Sequence, residues 1–281
     1  MSARRPSGPT SSASPAHTDP AHAGPAHADG GAGRAQATHP ADAAPTSPAP
    51  PARSTVLPGR QSPLLPAPGD HVVLGTPLDG PWPQGTEVVY LAGGCFWGME
   101  RILWRQDGVV VTAVGYMGGT TPNPTYQEVC TGATGHAETV RVAYDPTVCG
   151  PGGQSLLRVF WENHDSTHLN RHGNDVGTQY RSAVWTTTPD QYAAALATRE
   201  AFQGELTRLG LGTCVTTVEG AAGLYSDFGG PFYLAEGYHQ GYLHKNPGGY
   251  CNHGPNGVTC PVGVANLPAQ VEVLPPGPPT P

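Results

Sequence analysis

From residue 85 onward the apolar positions of the chain change period, and each change marks a new element. Glu87-Val-Val-Tyr-Leu-Ala reads as a strand, Gly93-Gly94 as a tight turn, and Phe96 to Trp104 as a short helix with Phe96, Met99, Ile102 and Leu103 near helical spacing. Val109 to Tyr116 reads as a second strand and the alternating run Ala137 to Tyr144 as a third. Leu156, Leu157, Phe160 and Trp161 make the stripe of an amphipathic helix, and Ser182 to Thr187 a fourth strand. The order β-α-β-β-α-β predicts an α+β fold, a two-layer sandwich with a ferredoxin-like (split βαβ) core whose helices share one face of an antiparallel sheet. A third helix is expected from Pro189, capped by Thr188, with Tyr192, Ala195, Phe202, Leu206 and Leu209 on one side, followed by a short strand over Cys214 to Val218. Past Gly220, Gly, Tyr and His dominate, which predicts a long irregular C-terminal coil returning across the sheet.

The flanks lack any such pattern. Met1 to Arg53 contains no Val, Ile, Leu, Phe, Trp or Tyr, so burial cannot offset its ordering entropy. Pro15-Ala-His, Pro20-Ala-His and Pro25-Ala-His repeat every five residues and put His17, His22 and His27 at regular intervals, but nothing fixes them in a coordination geometry. The expected organisation is a disordered tail over 1–55, an extended Pro-rich lead-in over 56–83, one folded domain over 84–260 and a second Pro-rich disordered tail over 261–281. All the aromatic residues fall between Trp82 and Tyr250, enough for one sizeable core in spite of 39 Gly and 32 Pro.

Charge and length exclude several functions. The formal net charge is −7, Lys245 is the only lysine, and no basic stripe runs along any element, which argues against a nucleic-acid partner. No apolar run approaches the length of a membrane span, and the two arginines near the N-terminus are not followed by the apolar stretch of a secretory signal. A cytoplasmic setting is expected. Six cysteines are too few for a disulfide-stapled scaffold, so any cysteine chemistry should be local.

Cys95 carries the candidate chemistry. It stands where a strand hands over to a helix, and helix N-terminal amides favour a thiolate there, although a buried structural cysteine beside two aromatics fits the local context equally well. Three polar stretches at element ends add partners: Thr121-Pro-Asn-Pro-Thr-Tyr126, Gly135-His-Ala-Glu138, and Gly173-Asn-Asp175 running on to Tyr180. If these ends converge, one cleft holds a nucleophile, a carboxylic acid and phenol donors.

The run Gly94-Cys95-Phe96-Trp97-Gly98 occurs together with Gly115-Tyr116, the three stretches above, Phe160-Trp-Glu-Asn-His-Asp165, Gly177-Thr-Gln-Tyr-Arg-Ser182 and His244-Lys-Asn-Pro247. With these motifs, residues 72 to 260 closely resemble the type A peptide methionine sulfoxide reductase family. The resemblance implies that Cys95 attacks the sulfoxide sulfur of methionine S-sulfoxide, that Glu138 with a raised pKa supplies a proton, and that Tyr126 and Tyr180 donate hydrogen bonds to the oxygen. Asp175 would support the polar side, while Phe96 and Trp97 form the apolar wall for the S-methyl group. It also implies a Cys95 sulfenic acid resolved first by Cys251 and then by Cys260, with thioredoxin as reductant and no cofactor. Cys251 and Cys260 are spaced one residue further apart than in many members, and Cys130, Cys149 and Cys214 read as structural or incidental. A monomer is expected, since no apolar helix stripe is left over.

Three other readings compete, one of them a non-enzymatic binding module. His164, His168 and His172 recur every four residues, and Cys251, His253 and Cys260 cluster in sequence, which is the material of a zinc module. A thiol peroxidase or peroxide sensor could use the same Cys95 and Cys251, but it has no need of a methyl-sized aromatic wall.

Overall fold

The computed structural model describes residues 57–220 and 231–261; the tails, including His17, His22 and His27, lie outside the described residues. The elements are β1 (Glu87–Gly93), α1 (Phe96–Leu103), β2 (Val109–Met117), α2 (Tyr126–Cys130), β3 (Ala137–Tyr144), α3 (Pro146–Cys149), α4 (Gln154–Asn163), β4 (Arg171–His172), β5 (Asp175–Val176), β6 (Ser182–Thr186), α5 (Pro189–Leu209), β7 (Thr217–Gly220), β8 (Tyr233–Leu234) and α6 (Tyr242–Lys245). Short 3-10 turns span Pro151–Gly153 and Thr178–Tyr180. Six strands form one mixed sheet in the order β7-β6-β1-β3-β2-β8, antiparallel except where β7 runs parallel to β6. β4 and β5 pair separately.

Alternation along the strands sorts the core. Val89, Leu91, Val114, Val140, Val142 and Val184 point from the sheet into a layer made by Phe96, Met99 and Leu103 of α1, Leu156, Phe160 and Trp161 of α4, and Ala194, Phe202 and Leu206 of α5. The opposite face is not left to solvent. The lead-in lays Leu65, Leu78 and Trp82 over Val88, Val111, Ala113 and Ala143. Arg141 fastens that strip: its guanidinium lies 5.3 Å from the Trp82 ring centre and donates to Asp79 and to the Leu78 carbonyl. At the start of the lead-in, Arg60 makes an ion pair with Glu128 and its N–H donates to the Pro122 carbonyl, which clasps the loop leading into α2.

Helix ends follow their sequence. The Thr188 hydroxyl accepts from the Gln191 N–H at 3.2 Å with Pro189 in the first turn, and Gly210 closes α5 at φ +69°. Thr125 and Glu128 form a reciprocal capping box that starts α2. The strand after α5 lies at Thr217–Gly220 rather than Cys214–Val218, because the preceding residues are turned aside by a hydrogen bond from the Val215 N–H to the Ser166 carbonyl. The segment expected as coil contains β8, which pairs with the β2 edge, and α6. No helix among the described residues is long and apolar enough to cross a membrane.

Trp161 and Phe202 hold α4 against α5, their rings stacked at 5.8 Å with the indole N–H donating to Thr198 at 3.0 Å. Phe202→Ala is expected to destabilise the domain by about 3–5 kcal/mol in urea denaturation; a loss below about 1 kcal/mol would mean that this contact does not anchor the helical layer.

Candidate active site

At one end of the sheet β1 finishes while β3 and β6 begin, with Gly93 in register with Ser182 and Glu138 with Tyr116. The chain leaves β1 through Gly94 at φ +96°, where a Cβ would fall 2.5 Å from the His172 Cβ, so only glycine makes this turn. Cys95 follows as the N-cap of α1 and is 6% exposed. Glu138, 2% exposed, extends to the same helix start, where its Oε2 accepts the Phe96 N–H at 2.9 Å.

Burial decides the protonation of both groups. It pushes the Glu138 carboxyl up to about 8 against the pull of the Phe96 N–H, with Asp175 adding to the rise. Glu138 is therefore protonated at neutral pH. The thiolate expected at Cys95 from its helix terminus is overturned: burial above all, then charge on Glu138 whenever that carboxyl ionises, and Asp175 raise the thiol well above its ordinary value, while the Trp97 and Gly98 amides only partly oppose this. The amides of one two-turn helix do not outweigh removal of the thiolate from water.

The other sequence-derived residues gather around this pair. Tyr126 opens α2, and Tyr180 closes the 3-10 turn before β6; burial above all, then charge on Glu138 when that carboxyl ionises, raise both phenols, so both keep their protons and remain donors. Phe96 is fully buried. Trp97, half-buried, stacks on Tyr242 at 3.7 Å and 13°, and its indole N–H donates to His239 Nδ1 at 3.0 Å. Asp175 raises Cys95 and Glu138, but its carboxylate bonds go to the Tyr250 hydroxyl at 3.1 Å and to Asn252 Nδ2 at 2.9 Å, the residues flanking Cys251. Cys251 accepts from the Arg101 guanidinium at 3.0 Å, beside the first turn of α1. Cys260 is held elsewhere: it is buried against α4 and α5, its N–H donating to Glu162 and its thiol facing the Thr198 carbonyl at 3.9 Å.

Several participants were not visible in the sequence. Glu236 accepts the Tyr116 hydroxyl at 2.8 Å and the Tyr126 N–H at 2.9 Å, and so ties β2 to the loop that carries Tyr126. His239 packs 5.0 Å from Phe96 and 4.8 Å from Tyr126; burial brings it down to about 3, so it is neutral, and because Nδ1 accepts from Trp97 its hydrogen is on Nε2. Gln240 bonds both the N–H and the carbonyl of Val114. The available signal was the density of Glu, Tyr, His and Gln over residues 236–242, which has no period to assign it to a face. Cys130, exposed, hydrogen-bonds with the Tyr126 side chain.

The three histidines of the four-residue series lie in different settings. His164 is buried between the Phe160 carbonyl and Ser182, His168 is exposed and pairs with Asp165, and His172 stacks on His253 at 4.2 Å. Among the described residues no group of three His, Cys, Asp or Glu is arranged to hold a metal ion.

The family profile described as Peptide methionine sulfoxide reductase matches residues 87–259. The peptide methionine sulfoxide reductase MsrA of Salinispora arenicola is 57% identical over 211 residues, covering 74% of this chain and 91% of that protein. MsrA 1 of Caulobacter vibrioides is 51% identical over 214 residues, covering 76% and 94%. Among solved structures, methionine sulfoxide reductase A of Corynebacterium diphtheriae is similar with a TM-score of 0.62 at 43% identity, covering 75% of this chain and 97% of that one.

The buried carboxyl has a consequence for stability. Unfolded, Glu138 ionises near 4.5; folded, near 8, so between these values the native state binds the extra proton and stability falls as pH rises. The buried histidines, held below their ordinary values, act in the opposite sense at lower pH. Comparison with Glu138→Gln isolates the carboxyl: from about pH 5 to about pH 8 the stability of the wild type relative to this variant, from urea denaturation, is expected to fall. Parallel curves would show that Glu138 is ionised in the folded protein.

Proposed function

The chain belongs to the peptide methionine sulfoxide reductase family and is an oxidoreductase acting on methionine sulfoxide, and we propose that Cys95 is its nucleophile, Glu138 its acid and Cys251 the thiol that resolves the product. The observation that carries this reading is the Glu138 carboxyl, buried and hydrogen-bonded to the amide next to Cys95, where burial raises it to about 8. Reduction of a sulfoxide requires a proton at the oxygen as its bond to sulfur weakens, and a neutral acid beside a thiol meets that need.

The Glu138 hydroxyl donates to the sulfoxide oxygen, and the Tyr126 and Tyr180 hydroxyls complete the oxygen site. Phe96 and Trp97 form the wall for the S-methyl group, and a fixed oxygen site opposite a fixed wall admits the S epimer of peptide-bound or free methionine sulfoxide. While Glu138 is protonated its charge no longer disfavours the Cys95 thiolate, so the two groups titrate as a pair. The Cys95 sulfur attacks the sulfoxide sulfur, the protonated oxygen passes from that sulfur to Cys95 as its own S–O bond and the transient S–S bond break, and methionine leaves with Cys95 as a sulfenic acid. The proton lost by the thiol restores the one that Glu138 gave. Asp175 supports this from the side of the Cys251 segment, through Tyr250 and Asn252.

Cys251 then forms a disulfide with Cys95 and water departs. Transfer of that disulfide to Cys251 and Cys260 requires the segment around Cys260 to leave the groove between α4 and α5, after which thioredoxin reduces it. The activity is protein repair after oxidative damage in the cytoplasm. Residues 84–260 act as the catalytic domain, between an N-terminal tail (1–55) with its lead-in (56–83) and a C-terminal tail (261–281). The antiparallel run β6-β1-β3-β2 and the element order support a ferredoxin-like core carrying a largely irregular C-terminal coil.

Cys95→Ser is expected to abolish methionine formation. Cys251→Ser should form one methionine per chain and then stall with thioredoxin, whereas sustained turnover would remove Cys251 from the cycle. Glu138→Gln should lower kcat by about 10²–10⁴-fold, and an effect confined to KM would remove its role as acid.

A further inference from the structure

Cys95, Gly98 and Arg101 follow one another at three-residue spacing along a single side of α1. The segment carrying Cys251 lies against that side. A Cβ at Gly98 would fall 3.0 Å from the Cys251 sulfur and 2.5 Å from His253 Nδ1, so the glycine is a notch into which the thiol settles, one helical turn from Cys95. On the far side of the notch the Arg101 guanidinium donates to the sulfur at 3.0 Å. The thiol itself faces the His253 carbonyl at 3.8 Å, and His253 is fixed in turn by a 2.7 Å hydrogen bond to the Gly93 carbonyl. Among the described residues no carboxylate forms a salt bridge with Arg101; its guanidinium donates to the sulfur, and its charge also acts on the neighbouring His253.

We infer that Arg101 takes a direct part in the resolving step, orienting the Cys251 sulfur over the Gly98 notch and stabilising the negative charge that develops on it as it attacks the Cys95 sulfenic acid. This rests on the reading of Cys251 as the resolving thiol. In the step, the Cys251 sulfur gives up its proton and bonds to the Cys95 sulfur. The S–O bond breaks, and the hydroxyl leaves with that proton as water. No outside oxidant or reductant enters, since the two electrons were taken from Cys95 when it received the oxygen. A guanidinium donating to sulfur matters most when the sulfur carries charge, which happens in this step and not in the attack of Cys95 on the sulfoxide.

Single-turnover mixing with a methionine sulfoxide peptide separates the steps when methionine and Cys95 sulfenic acid, trapped with a dimedone probe, are followed in time. Wild type, Arg101→Met, Arg101→Lys and Cys251→Ser are compared. Arg101→Met should form methionine at the wild-type rate but keep the sulfenic acid about tenfold longer or more, and Arg101→Lys, which retains a cationic donor, should recover part of the loss. The inference is overturned if Arg101→Met resolves as fast as wild type while Cys251→Ser does not, or if Arg101→Met slows both steps by one factor, which marks general damage to α1. Rapid resolution in Cys251→Ser would instead refute the assignment of Cys251.

Discussion

The hydrogen bond from the Phe96 N–H to Glu138 Oε2 joins the central strand β3 to the first turn of α1 inside the protein, and the site is arranged around it. The bond puts a carboxyl at the point where Cys95 leaves the β1 turn. It occupies one carboxyl oxygen and leaves the other to carry the proton that burial enforces. The sheet register supplies the rest: Tyr116 lies opposite Glu138, and through Glu236 it orients the loop of Tyr126. One buried contact thus connects sheet topology with acid chemistry.

Two electrostatic effects compete at Cys95. Helix amides favour the anion, while burial and nearby carboxylates oppose it more strongly. Because the largest of those nearby charges belongs to Glu138, a proton there relieves part of the penalty on the thiolate. The same burial that keeps the proton on Glu138 therefore makes the ionisation of the thiol depend on that carboxyl. The periphery follows a different logic. Tyr242 and His239 hold Trp97, and Asp175, Tyr250 and Asn252 hold the Cys251 segment, through stacking and polar contacts near the surface of the site.

Much of this was legible in the sequence, and the failures have physical causes. The long elements β1, α1, β2, β3, α4 and α5 follow their periods because each has one face toward a common core. Cys95 at a strand-to-helix turn, and Tyr126, Glu138 and Tyr180 at element ends, were identifiable because their local turn chemistry and motifs are contiguous. The sign of the Cys95 shift was not, since burial depends on packing by residues more than forty positions away, such as Glu138. Glu236, His239, Gln240 and Tyr242 escaped for another reason. They act from β8, α6 and the turns around them, elements of two to four residues that are too short to show a period. Glu100 was hidden within the α1 stripe; it is fully buried and accepts the Gly241 N–H at 3.0 Å, thereby tying the C-terminal segment to the helix that bears Cys95.

The central claim is that Glu138 is a neutral acid in the folded protein at the pH where the enzyme works. Infrared difference spectroscopy of wild type against Glu138→Gln reads this without reference to turnover. The account predicts a protonated-carboxyl C=O stretch at neutral pH, absent from the variant, that gives way to carboxylate bands as pH rises through about 8. Carboxylate bands alone at neutral pH would contradict it.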